Sequence, residues 1–443
     1  MAAEGTVANT SDHAQRLSPA PIIRAWSART FASLGNHNYR RFFVGQSVSL
    51  IGTWMQSVAQ SWLVLQLTDS GTALGLVVAV QTLPVLLLAP YAGLIVDRAN
   101  KRHVLLATQC TLASLAVVLG VLTLTHVIRL WMVIALAAGL GFANSVDNPA
   151  RQAFIPEMVG ADAVVNAVSL NSVMTNAARA IGPAIAGLLI VTVGIGDCFL
   201  LNAASFIAII LALAAMNPAR LHPAQPAEHG PGQIMDGLRY VRHTPRLLIP
   251  LLMMALIGAL SYEFQVVLPV LAQRTFRGDA DAYGFLTATF GAGAMVGGLV
   301  VAGRRAPGLR AVVVAAGAFG LTLLAAALAP SMAIELAAMS LVGAASVAFM
   351  SRGNSLLQLT AEESMRGRVM ALWAVALIGT TPIGGPIIGY ITEHASPRWG
   401  LATGGFAALI ATSLALRARH HHAAPPSPAP PGAHDLPPGA GPS

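Results

Sequence analysis

One carboxylate in this chain stands where water is scarce. Glu263 lies in LLMMALIGALSYEFQVVLPVLAQ, an apolar run over residues 251–273, with no basic residue within a helical turn. A charge at the centre of a bilayer costs roughly 2.5–3.5 kcal/mol on insertion scales, so such a residue needs a partner or a task. Protonated it is cheap to bury, and ionised it needs a cationic or polar neighbour. A group balanced between the two is a proton carrier. The alternative is a carboxylate facing a water-filled cavity without titrating. Every other Asp or Glu stands at the end of an apolar run, in a loop or in a tail.

Two further sites carry charge close to apolar sequence. Asp147 and Arg151 are four apart, on one helix face, and can pair. They read as an ion pair fixing a helix end, as a gate contact, or, for Asp147, as a second proton-coupling group. Arg179 continues a stripe with Asn171 and Thr175 at i, i+4, i+8, and is followed at once by Gly182 and Pro183. Its charge is met by a cargo, by Asp147 or by a backbone carbonyl. Gln56, Gln60, Asn148 and Asn354 are uncharged polar residues within apolar runs, and Gln56 and Gln60 share a helix face.

Enzymatic chemistry is excluded by what accompanies these groups. The twelve histidines lie in tails, loops or the ends of apolar runs. The two cysteines, Cys110 and Cys198, make no disulfide framework and no metal spacing. No nucleotide loop, nucleophile elbow or HExxH occurs. No cofactor and no metal are expected.

The elements that must hold these residues follow from composition. Of 443 residues 55% are hydrophobic and 10% charged, against about 25% charged in a soluble domain. The sequence is that of an all-α polytopic membrane protein. Segments with few charges run over 42–67, 74–96, 104–125, 130–150, 164–193, 198–216, 247–272, 282–303, 311–329, 331–355, 369–392 and 399–416. Each is long enough, or nearly so, to cross a bilayer, and they are numbered here as spans one to twelve. One long polar connection, 217–246, divides them six and six and contains the amphipathic run IMDGLRYVRHT. The expected organisation is a tail over 1–41, a six-helix bundle over 42–216, the loop 217–246, a second bundle over 247–418 and a Pro-rich disordered tail over 419–443. No cleavable signal peptide is expected.

Of 26 basic residues, 21 fall on the side of the termini and four on the other. That asymmetry puts both termini in the cytoplasm of a cell-membrane protein. The basic residues are scattered between spans, which argues against a nucleic-acid partner. The halves are weakly repeated. Asn148, Gln152 and Glu157 map onto Asn354, Gln358 and Glu363 at one offset of 206 residues. Near that offset Gly182, Pro183 and Gly187 face Gly385, Pro386 and Gly389.

The loop after span two reads Gly93-Leu-Ile-Val-Asp97-Arg98-Ala-Asn-Lys101-Arg102. It is similar to the loop signature G-x-x-x-D-R-x-x-[KR]-[KR] of the major facilitator superfamily. "NYRRFFVGQSVSLIGTWMQSVAQSWLVLQLTDS", "DNPARQAFIPEMV", "NAVSLNSVMTNAARAIGPAIAGLL" and "RGRVMAL" resemble the enterobactin-exporter-like branch, the transmembrane secretion effectors, over about residues 35–418. The resemblance implies twelve transmembrane helices in two pseudo-repeated six-helix bundles, working by alternating access, with spans one, four, seven and ten around a central cavity, which makes Gln56, Gln60, Asn148, Arg179, Glu263 and Asn354 the cavity candidates. It implies that Gly93, Asp97, Arg98, Lys101 and Arg102 latch the outward-open state. Plain positive-inside anchoring is the other reading of the basic residues. The stretch around Gly182-Pro183 resembles the antiporter signature G-x-x-x-G-P-x-x-G-G, with Ala178 and Ala186 replacing two glycines. Gly182, Pro183, Gly187, Gly385 and Pro386 are read as helix-kink positions.

The expected function is a monomeric secondary transporter, embedded in lipid, that exports a small amphipathic molecule of siderophore or drug type against proton entry. Uptake, uniport and a non-transporting membrane sensor remain open.

Overall fold

The computed structural model describes residues 32–222, 233–302 and 307–422. The outer parts of both tails and Arg304 and Arg305 lie outside it, as do the side chains of Gly93 and Asp97. The described residues contain no strand. Spans one to six are His37–Thr68, Gly71–Arg98, Lys101–Leu124, Leu130–Val159, Val164–Thr192 and Ile195–Ala214. The amphipathic run forms the helix Gln233–Arg242. Span seven is divided into Pro245–Ser261 and Phe264–Val270, followed by a π-helical turn, Leu271–Thr275. Spans eight to ten are Ala280–Ala302, Leu309–Ala327 and Met332–Thr360. Span eleven is divided into Arg366–Ile378 and Thr381–His394, and span twelve is Pro397–His422. Span twelve thus carries His420, His421 and His422, which the sequence had assigned to the tail.

Eleven of these spans are long and apolar enough to cross a membrane. Span one, rich in Gln, Ser and Trp, is not among them. Its polar side chains Gln46, Gln56 and Gln60 are buried between helices, so the packed bundle compensates for a composition that would be poor facing lipid. The connections are short and locally specified. Asn36 caps span one by accepting from the Asn38 and Tyr39 amides, and Asn100 caps span three by accepting from the His103 amide. Asp69 ends span one in the left-handed region at φ 47°, a conformation that short polar side chains tolerate.

The two ends of the bundle differ. One end carries the start of span one and the finish of span twelve, and is called here the terminal end. An apolar core runs through the whole second half and continues into the far-end part of the first, taking in Met55 to Leu65, Leu74, Ile190 and Phe199. A separate core with Tyr39, Phe42, Phe154, Met158 and Leu213 fills the terminal-end part of the first half alone. The halves therefore share one core at the far end and part towards the terminal end.

Glycine permits that far-end closure. A Cβ on Gly75 would lie 2.2 Å from the Gly385 carbonyl oxygen, and one on Gly389 would lie 2.3 Å from that of Gly71. Backbones of spans two and eleven can approach this closely only without side chains between them. Polar ties reinforce the contact. The Glu393 carboxylate accepts from the Ser70 hydroxyl at 2.6 Å and from the Thr72 amide at 2.9 Å. Arg274 pairs with Asp69 at 3.4 Å and donates to the Asp69 carbonyl. Among the described residues, every hydrogen bond between the halves lies at this end.

Candidate functional site

Span seven breaks at Tyr262 and Glu263, which separate its two helical pieces. Glu263 has φ −81° and ψ 41°, outside helical geometry, and is 4% exposed. Its Oε1 is buried with no hydrogen-bond partner. Its Oε2 faces span eleven, 3.6 Å from where a Cβ on Gly385 would sit. The carboxylate thus stands beside the seam where spans two and eleven meet. Interrupted helices carry the ion and substrate sites of many secondary transporters, because freed backbone groups and a cavity coincide there. Tyr262 donates from its hydroxyl to the Ser346 carbonyl at 3.1 Å, which anchors the break to span ten. The interruption has no Pro or Gly of its own between Ser261 and Phe264, so sequence periodicity gave no sign of it.

Arg179 sits across from this break. Its guanidinium lies over the Trp54 ring of span one, 5.0 Å from the centroid. Its carbonyl oxygen lies 2.9 Å from where a Cβ on Gly291 of span eight would be. Tyr262 is within its electrostatic reach. Residues of both halves therefore surround it. Its Nε is buried without a partner, and it makes no ion pair among the described residues. The pairing with Asp147 that the sequence allowed is not formed. Asp147 is instead held by span three: its Oδ1 accepts from the Thr108 hydroxyl at 2.7 Å and from Gln109 at 2.8 Å. Its Oδ2 lies 3.7 Å from Arg151. The expected i, i+4 pair is present, but it is directed into the first half rather than at a gate.

The uncharged candidates divide in the same way. Gln56, expected on the cavity, accepts from Asn202 of span six at 2.6 Å and is buried inside the first half. Gln60 donates to Gln81 of span two at 3.0 Å. A polar side chain this short of water takes the nearest partner, and span six or span two is nearer than the seam. Asn148 and Asn354 are partly exposed and repeat one local arrangement. Asn148 accepts from Arg151, three residues on, at 2.6 Å. Asn354 accepts from Gln358, four residues on, at 2.6 Å.

The loop after span two is tied to its own half. Lys101 pairs with Glu157 of span four at 2.8 Å. Arg102 donates to the Leu213 and Ala214 carbonyls at the end of span six, at 2.7 Å each. Arg98 ends span two and is exposed. The surroundings of Gly93 and Asp97, on which the latch depends, lie outside the described side chains.

The kink positions serve contact. Span five is one helix through Pro183. A Cβ on Gly182 would lie 2.6 Å from Trp54 Cβ, and one on Gly187 would lie 3.0 Å from Asp281 Cα of span eight. Span eleven does break, but at Gly379 and Thr380, ahead of the expected Gly385-Pro386. Pro382, at the start of the second piece, is the proline that the break accommodates.

One buried carboxylate was missed. Glu335, in the first turn of span ten, is 0% exposed and neither of its oxygens has a hydrogen-bond partner. Its position near a span end hid it in the sequence. In the fold it is enclosed, with Arg398 of span twelve supplying a positive charge within reach.

A family profile described as transmembrane secretion effector matches residues 28–429. The staphyloferrin A transporter of Staphylococcus aureus (strain NCTC 8325 / PS 47) is 28% identical over 263 residues, covering 59% of this chain and 66% of that protein. The enterobactin exporter EntS of Escherichia coli (strain K12) is 25% identical over 395 residues, covering 88% of this chain and 94% of the exporter. Among solved structures, a bacterial homologue of the lysosomal transporter Spinster, inward-facing and unoccupied, superposes with a TM-score of 0.68 at 13% identity. It covers 87% of this chain and 96% of its own. A bacterial homologue of the iron transporter ferroportin, inward-facing, gives 0.65 at 15% identity, covering 86% and 98%.

Proposed function

From a chain that belongs to the transmembrane secretion effector family, and is therefore a major facilitator transporter rather than an enzyme, we propose a proton-coupled exporter of a small amphipathic molecule, of the siderophore class handled by its relatives. It works by alternating access, as a monomer in the cell membrane with both termini in the cytoplasm. Residues 42–216 and 247–418 are its two moving units.

The observation that carries this reading is Glu263. It is a buried carboxylate at a break in span seven, with one oxygen free, beside the seam that must open and close. A group there is reached from the far side when Gly75 and Gly385 separate, and from the terminal side when they close. The core shared at the far end and divided at the terminal end supports the second arrangement as one of two working shapes. Basic residues dominate the terminal end, so that arrangement opens to the cytoplasm. Asp97 acts when the terminal end closes, as the latch the family signature implies. Asp147, already bonded to Thr108, Gln109 and Arg151, comes second to Glu263 as the proton carrier.

Glu263→Gln keeps the shape of the side chain and removes its titration. In proteoliposomes loaded with the family's candidate siderophores, it is expected to abolish accumulation driven by a pH gradient while leaving downhill exchange intact. Undiminished uphill transport by the variant would move the proton to another group and overturn the assignment.

A further inference from the structure

Arg179 is a half-buried cation with no anion beside it among the described residues. Its Nε is sealed from solvent and unpartnered, and among the described residues it makes neither a hydrogen bond nor an ion pair. The acidic group that the sequence offered it, Asp147, is occupied by Thr108, Gln109 and Arg151. A cation–π contact with Trp54 holds the guanidinium in place without occupying its N–H donors. Removing a charge from water without a counter-charge is unfavourable, so a fold that keeps one there has a use for it.

The position is as informative as the charge. Trp54 and Arg179 belong to the first half. Gly291, against which the Arg179 backbone packs, and Tyr262, within its reach, belong to the second. A ligand on the guanidinium edge is therefore held in the seam, next to the break that carries Glu263. Guanidinium presents paired N–H groups that match two oxygens of one planar anion.

We infer that Arg179 is the cargo's anion-binding point, and that the cargo carries a planar group with two anionic or partly anionic oxygens, a carboxylate or a catecholate, on an otherwise apolar body. This deepens the exporter reading and rests on it for the word cargo, but binding of the anion requires no proton gradient. In this arrangement Trp54 is a positioning residue, because it acts through Arg179.

The test is equilibrium binding to the full-length protein in nanodiscs, with salicylate as the anionic probe and salicylamide as its neutral counterpart. Salicylate is expected to bind the wild-type protein, and Arg179→Met is expected to weaken it by tenfold or more. Arg179→Lys, which keeps the charge without the paired donors, should fall between. Salicylamide should distinguish none of the three. A second readout separates binding from packing. If Arg179 has no partner within the protein besides Trp54, ligand-free Arg179→Met melts no lower than ligand-free Trp54→Leu, which loses the same contact. Failure of salicylate to bind the wild-type protein, or equal binding by Arg179→Met, overturns the inference. So does ligand-free Arg179→Met melting below ligand-free Trp54→Leu. None of these results bears on Glu263, whose test is uphill transport, so the two readings fail separately.

Discussion

The two halves of this transporter bury carboxylates in opposite ways. In the first half the buried carboxylates are partnered, Asp147 by Thr108, Gln109 and Arg151 and Glu157 by Lys101, and the Gln56 and Asn202 amides pair with each other. In the second half, two carboxylates keep oxygens with no partner. Glu263 has one free oxygen at the break in span seven, and Glu335 has two beneath the start of span twelve. A satisfied network is rigid and specifies one packing, whereas an unsatisfied buried group is costly and marks a place where something else binds. On the proposed function, the contrast gives Asp147 and Glu157 the part of scaffold and Glu263 the part that exchanges protons.

The largest effect should come from dismantling the first half's network. Asp147→Ala leaves the Thr108 hydroxyl and the Gln109 amide without their acceptor and leaves Arg151 without its carboxylate. Breaking a buried pair in this way costs about 3–5 kcal/mol; Arg151 is partly exposed, so the lower end applies. A loss of thermal stability in detergent, with transport failing in proportion to folded protein, is the expected result. If Asp147→Ala folds normally and selectively loses proton coupling, the scaffold assignment is wrong.

A smaller effect is expected at Gln56. Gln56→Leu strands the Asn202 amide, at about 1–2 kcal/mol for an unsatisfied buried donor. Replacing both by Leu removes the stranded group as well, so the double variant should be more stable than Gln56→Leu alone. Thermal denaturation of the two single variants and the double variant measures the coupling. Additive losses would mean that the two amides do not depend on each other, and that the first half is less tightly networked than its distances imply.

How much of this was legible in the sequence depended on the range of the cause. The twelve spans follow from local composition, and even span one, too polar by hydropathy alone, was found because it lacks charges between 42 and 67. The pairing of Asp147 with Arg151 is a matter of helical spacing and was legible too. Its stronger partners, Thr108 and Gln109, stand on another helix, and no spacing rule reaches them. Gln56 was read towards the cavity because helical phase gives a face but not the neighbour on that face. The break at Tyr262 and Glu263 has no proline or glycine to announce it. Arg179 was legible as a charge in a span; that it has no counter-ion among the described residues is a fact about the other helices.

Glu335 offers the finest discrimination, because there the contrast between the halves predicts almost nothing. Its carboxylate is fully buried, and no hydrogen bond holds either oxygen. If the group is neutral in the fold, Glu335→Gln replaces one uncharged polar end with another of nearly equal size. The change in stability should then stay below about 1 kcal/mol, within the range of a single neutral hydrogen bond. If Glu335 is instead ionised against Arg398, the variant removes one member of a buried ion pair, and the loss should approach that of Asp147→Ala. Arg398 already donates to the Ala329 carbonyl at 2.8 Å, so its guanidinium is partly satisfied without Glu335, which favours the smaller number. The measurement is the melting temperature of Glu335→Gln beside that of Asp147→Ala in the same detergent. Equal losses would show Glu335 to be as fully paired as Asp147, and would leave Glu263 as the single exception among the buried carboxylates of the described residues rather than one of two.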